Sequence, residues 1–264
     1  MLKQFKLDEA LRSLDAVQLA KVSGRLVRMS GMLLESIGCQ RVTGQRCYIE
    51  QADGSLLDAQ VVGFNRDITY LMPFKKPLGL SSSSRVFPAR DDAALQIDES
   101  WLGRVLNGLG EPMDERGKLG GRDALTTELP KVSPLKRQPV TEPLDVGVRA
   151  INALLTLGKG QRVGLFAGSG VGKSVLLGMI TRQTKADVVV VGLIGERGRE
   201  VQEFIQHSLG PEGLRKAVVV VAPANESPLM RLKAAELCHS IAAYFRDQGH
   251  DVLLLVESLT RYAM

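Results

Sequence analysis

The stretch Gly168-Ser169-Gly170-Val171-Gly172-Lys173-Ser174 sets three alternating glycines directly before a lysine and a hydroxyl. Without a Cβ, each glycine lets the backbone turn its N–H groups inward around an anion. A lysine after the last glycine reaches the β- and γ-phosphates of a nucleoside triphosphate, and the serine hydroxyl can ligate Mg²⁺. The pattern G-x-x-x-x-G-K-[ST] is met except at its first position, where the small residue Ala167 stands. These seven residues are expected to bind ATP. Lys173 is also expected to stabilise the charge that develops on the transferred phosphate.

Two carboxylates complete the chemistry. Gly195-Glu196-Arg197-Gly198-Arg199-Glu200 follows the apolar run 188–193. Ligands of open parallel sheets sit beyond the carboxyl ends of the strands. Glu196 is therefore expected to face the γ-phosphate and polarise the attacking water as a general base. The run Val252–Val256 ends in Glu257-Ser258, and a carboxylate at such a strand end holds Mg²⁺ directly or through water. Aspartate is the usual residue there. The additional methylene of glutamate displaces the carboxylate by roughly an ångström, and shifts of that size can cost ~10²-fold in rate.

These groups need elements that hold them together. Strands are expected at 163–166, 188–193, 217–221 and Val252–Val256, with helices over 173–184, about 199–208 and about 230–246. Continuous apolar strands alternating with helices mean a parallel α/β sheet covered on both faces. A strand-end glutamate beside the phosphate loop points to a RecA-like P-loop domain over 146–264 rather than the Ras-like branch. Upstream, 23–90 has a different texture. Short β-like runs (Tyr48 to Glu50, then 56–62 and 68–72) are broken by glycines and by Asp53-Gly54, a hairpin signal. A small β-barrel is expected there. Residues 91–145, rich in glycine, proline and charge, read as a connector. In 1–22, Leu7, Leu11, Leu14, Val17 and Leu19 fall close to helical spacing. That is an amphipathic helix, suited to packing on its own domain or to docking on a partner or an acidic membrane surface.

Composition narrows the classes. The 264 residues are 44% apolar and 24% charged, as in an ordinary globular protein. No apolar run reaches the roughly 18 residues needed to cross a bilayer, and the N-terminus lacks the uninterrupted apolar core of a secretory signal, so a cytoplasmic address is expected. Cys39, Cys47 and Cys238 are too few and scattered for a disulfide framework or zinc cluster, and are read as reduced thiols. His207, His239 and His250 show no metal-ligand spacing. A net charge of +5 is dispersed along the chain and reads as a solvated surface. An RNA-driven motor joining a β-barrel to a RecA-like core would stack bases on barrel aromatics. Only Tyr48, Phe64, Tyr70, Phe74 and Phe87 are there, without an RNA-binding signature, so no nucleic-acid partner is expected.

At these motifs the sequence resembles the flagellum-specific ATPases of bacterial flagellar protein export, which are relatives of the F-type ATP synthase catalytic subunit and of injectisome ATPases. The resemblance runs through VVGFN and LMPF in the barrel, LGRVLNGLGEPMD in the connector, GVRAINALLTLGKGQRVGLFAGSGVGKSVLLGMI, VVVVGLIGERGREVQEFI and SLTRYAM. It implies ATP hydrolysis that energises export, with Glu196 as catalytic glutamate, Arg197 as a neighbouring active-site arginine and Glu257 at the Walker B position. It also implies a homo-hexamer binding MgATP between subunits, and a stator-like regulator on residues 1–22. The export gate, chaperones and export substrates are implied partners, with peripheral association at the inner face of the cell membrane. Members run well beyond the length of this sequence, so their further strands, adenine-packing residues, arginine finger and helical C-terminal domain are expected outside it. That departure, together with Glu257, keeps open a second reading, a binding module that holds nucleotide or partners without turnover.

Overall fold

Strict alternation of buried and half-exposed positions, the signature of strands with one face on a core, marks much of the first part of the chain in the computed structural model. Residues 23–39, 42–89, 94–127, 132–168 and 170–263 are described, so the helix expected over 1–22 lies outside the described residues. The chain divides into two compact units between Asp92 and Ala93.

In the first unit, β1 (Gly24–Ser30), β2 (Leu33–Ile37), β3 (Arg46–Glu50), β4 (Leu56–Asn65), β5 (Ile68–Pro73) and β6 (Arg85–Pro88) form a closed antiparallel barrel in the order β1-β2-β5-β4-β3-β6. Its interior is filled by Leu34, Cys47, Ile49, Val61, Leu71 and Val86, each at most 1% exposed. The Asp53-Gly54 signal holds: Gly54 has φ +81°, and Asp53 Oδ1 accepts the Ser55 amide at 2.9 Å in the turn between β3 and β4.

The second unit runs through β7 (Gln96–Ile97), β8 (Val105–Leu106), β9 (Asp123–Ala124), β10 (Pro143–Leu144), α1 (Arg149–Leu154), β11 (Leu157–Gly158) and α2 (Lys173–Gln183). It continues with β12 (Val188–Ile194), α3 (Gly198–Glu203), a π-helical turn (Phe204–Leu209), α4 (Gly210–Arg215), β13 (Ala217–Ala222), α5 (Pro228–Asp247), β14 (Val252–Val256) and α6 (Leu259–Ala263). Its main sheet is parallel, ordered β14-β12-β13-β8. The stretch read as a connector thus supplies an edge strand, and beside it Arg104 and Asp114 form a nearly buried ion pair at 2.7 Å.

β12 and β13 are buried at every position because helices cover both sheet faces. On one side Leu177 of α2 and Phe204 and Leu209 of the π turn pack against Val189, Val191 and Val219. On the other side lies α5. Gly192 lets it approach, since a Cβ there would stand 3.0 Å from Cys238 Sγ. The helix expected over 199–208 changes to π geometry over Phe204–Leu209, and Pro211 brings no N–H to the His207 carbonyl one turn before it. The carbonyl of His207 is left to accept instead from Arg182 Nη1 at 3.5 Å.

One expected strand is absent. Residues 163–166 make no ladder, and Val163 is 52% and Phe166 99% exposed. A strand exists only by pairing with a neighbour. The outer edge of β14, half-buried along its whole length, carries no strand among the described residues. A cavity of about 390 Å³ is lined by both 163–167 and 253–257. The apolar pattern of 163–166 is a strand's pattern, but among the described residues no strand pairs with it.

Candidate nucleotide site

The loop before α2 is shaped by its glycines. Gly170 and Gly172 have φ +78° and +93°, values open to glycine and costly for other residues. An added Cβ at Gly168, Gly170 or Gly172 would meet no atom within 4 Å, so the loop borders free space, as a cradle for phosphate must. Gly172 caps α2, and the helix start directs unpaired amides and positive partial charge toward that space. Val171 is exposed, while Ser169 lies outside the described residues.

Lys173 and Ser174, at the start of α2, turn to the end of β14. Lys173 Nζ donates to the Glu257 carbonyl at 2.9 Å, and Ser174 Oγ donates to Glu257 Oε1 at 2.5 Å. Glu257 is held in turn by its own amide, which donates to Gly192 O at 3.1 Å. Lys173 and Ser174, neighbours at the start of α2, thus meet Glu257, more than eighty positions on, at the carboxyl end of β14. The longer arm of glutamate reaches the serine hydroxyl directly. Two hard oxygen donors side by side suit Mg²⁺, which is held by one or two protein oxygens together with waters and phosphate. The donor set therefore fits the ion.

Glu196 follows β12 and is only 6% exposed. The Gly195 amide donates to Ala222 O at 2.7 Å and the Ala224 amide to Glu196 O at 2.9 Å, so the loop is fastened to the end of β13. Burial first, then its hydrogen bond with Glu200 and the negative charge of Glu257, push the Glu196 carboxyl from 4.5 to about 7, against the pull of Arg261. Glu200 moves the opposite way, lowered chiefly by that same hydrogen bond. A carboxyl poised near neutrality can take a proton at working pH. Arg197 is placed differently. Its exposed side chain stands 3.8 Å from Glu200, at the rim of the site.

Arg261 was not singled out in the sequence, although it sits within the SLTRYAM phrase. Its guanidinium touches Gly195 O at 2.6 Å, Glu196 at 3.5 Å and Glu200 at 3.7 Å. Its position four residues after the strand-end carboxylate, one helical turn on, was the available signal.

With this geometry in view, comparison with known proteins is specific. Residues 147–264 match the nucleotide-binding domain of the ATP synthase alpha/beta family. A flagellum-specific ATP synthase of Pseudomonas aeruginosa is 54% identical over 92% of this chain and 54% of its own length. A type 3 secretion system ATPase of Xanthomonas euvesicatoria is 44% identical over 96% and 57%. Among solved structures, the assembled ATPase EscN of the enteropathogenic E. coli type III secretion system superposes with a TM-score of 0.80 at 38% identity, over 91% of this chain and 57% of that one. EscN in complex with its central stalk EscO gives 0.82. The chain spans a little over half the length of these relatives.

Proposed function

We propose that the chain, whose residues 147–264 match the nucleotide-binding domain of the ATP synthase alpha/beta family, binds MgATP at the Gly168–Glu257 site and hydrolyses it to energise flagellar protein export. The observation that carries this reading is the convergence of Lys173 and Ser174 on Glu257, beside a buried Glu196 held near neutrality.

In the proposed reaction the loop amides and Lys173 hold the β- and γ-phosphates. A water oxygen attacks the γ-phosphorus while the bond from that phosphorus to the β,γ-bridging oxygen breaks. Glu196 takes the water proton, and ADP and inorganic phosphate leave. When bound, Mg²⁺ neutralises charge on the β- and γ-phosphates. Ser174 and Glu257 are the residues that would hold it. Lys173 withdraws from the Glu257 carbonyl to meet phosphate, a movement available to a long flexible side chain.

The wider role follows the relatives. The likeness to assembled EscN supports a homo-hexamer with nucleotide between subunits, where a neighbour's arginine would face the γ-phosphate. The stalk complex of EscN supports a stalk-like partner. A stator-like regulator on 1–22, and contacts with an export gate, chaperones and export substrates at the inner face of the membrane, belong to the same proposal. Among the described residues no helix is long and apolar enough to cross a membrane. An injectisome role is the neighbouring alternative, given the 44% identical secretion ATPase.

Phosphate release by the purified chain tests the proposal. Steady turnover that disappears in Lys173→Ala supports hydrolysis. Tight MgATP binding by wild type with no phosphate released would move the conclusion to the non-catalytic binding module.

A further inference from the structure

Hydrolysis needs more than a basic Glu196. The carboxylate must be held at the attacking water, and misplacement by about 1 Å can cost ~10²-fold. The loop that carries it turns at Gly195, where φ is +74°, and is held there from outside. Arg261 supplies the brace. Its Nη1 donates to Gly195 O at 2.6 Å and lies 3.5 Å from Glu196 Oε2. Its Nη2 stands 3.7 Å from Glu200 Oε2. The stem lies so close to the turn that a Cβ on Gly195 would sit 2.7 Å from Arg261 Cβ. The base of the arm is fixed as well. The Arg261 carbonyl accepts from Arg231 Nη1 of α5 at 3.2 Å, and its amide donates to Ser258 Oγ at 3.4 Å, immediately after Glu257.

We propose that Arg261 is the positioning residue for Glu196. It spans the Gly195 carbonyl and the Glu196 and Glu200 carboxylates, and ties the general-base loop to the strand end that carries Glu257. This rests on the reading of Glu196 as general base. The planar fork of arginine serves three acceptors at once. An ammonium is a single point of charge and cannot reproduce that geometry, so the role depends on shape as well as charge. Because Arg261 lies one helical turn from Glu257, the brace also links the position of the metal-holding carboxylate to that of the base.

The test compares wild type with Arg261→Lys and Arg261→Ala in the full chain. It measures ATP affinity, phosphate release, and amide hydrogen exchange over 195–201 and over 173–183, with thermal unfolding as the folding control. The brace predicts at least tenfold faster exchange at 195–201 in both variants and unchanged exchange at 173–183. It predicts ATP affinity within about twofold of wild type and phosphate release reduced at least tenfold. Wild-type exchange at 195–201 in either variant overturns the proposal. So does wild-type turnover in Arg261→Lys, which would reduce the role to charge. A loss of ATP affinity matching the loss of turnover overturns it too, by making Arg261 a nucleotide ligand. Should the wild-type chain release no phosphate, the hydrolysis reading fails by itself and the exchange measurement still decides whether Arg261 braces the loop.

Discussion

Replacing Glu196 with glutamine should stabilise the protein at alkaline pH and leave it unchanged under acid conditions. Glu196 is 6% exposed, and its carboxyl is raised from 4.5 to about 7, mainly by burial. The folded state therefore keeps a proton that the unfolded state has lost between those two values. The stability associated with that proton is fully present below pH 4.5 and is lost as pH rises through about 7. At about 1.4 kcal/mol per pH unit, the gap amounts to about 3 kcal/mol at pH 8. Glu200, lowered by its hydrogen bond with Glu196, returns part of that, so about 1–3 kcal/mol should be recovered when a neutral amide of the same shape is installed. Thermal unfolding at pH 4 and pH 8 reads this directly, as a melting temperature several degrees above wild type at pH 8 and equal to it at pH 4. A glutamine variant that is less stable at pH 8, or equally shifted at both values, would refute the claim that this site holds its carboxylate at an energetic cost.

Other consequences are more local. Gly178 of α2 faces the π turn, where a Cβ would meet Ser208 O at 2.5 Å. Gly178→Val should therefore destabilise by roughly 2–3 kcal/mol in denaturant titrations and weaken ATP binding, because α2 also carries Lys173. Asp114, paired with Arg104 and held at about 2, contributes about 2 kcal/mol that is present above pH 3.8 and lost as pH falls through 2. Asp114→Asn should lower the melting temperature at pH 7 by several degrees and flatten the acid limb of the stability profile. Glu257→Ala removes one of two oxygen donors from the proposed metal site. In nucleotide titrations with and without Mg²⁺, it should abolish most of the metal's contribution to affinity while metal-free binding stays near wild type.

How much of this was legible in the sequence depended on whether each element carries its own cause. β12 and β13 were readable because unbroken apolar runs are what strands buried on both faces require, and β14, half-buried beside β12, carries the same run. The Asp53-Gly54 turn was readable because a positive φ asks for glycine at that place. Residues 163–166 have the same apolar texture yet form no strand, since pairing depends on a neighbour that the local pattern does not contain. The edge strand β8 was missed for the converse reason. Two residues inside a glycine- and proline-rich stretch show no periodicity, and their place in the sheet is set by β13. At the site, Lys173 and Ser174 were singled out from the glycine-rich motif and Glu196 and Glu257 from their strand-end positions, and Lys173, Ser174 and Glu257 meet in the fold. Arg197 was found by motif and turns to the rim. Arg261 escaped because an arginine on a short helix has no chemical signature until its three acceptors are seen around it.

The general-base role of Glu196 is most directly tested by measuring ATP affinity and phosphate release side by side in wild type and Glu196→Gln, in the assembled full-length protein. The account predicts affinity within about twofold of wild type and phosphate release reduced at least a hundredfold, consistent with loss of a positioned general base. A glutamine variant that hydrolyses ATP at the wild-type rate would contradict it.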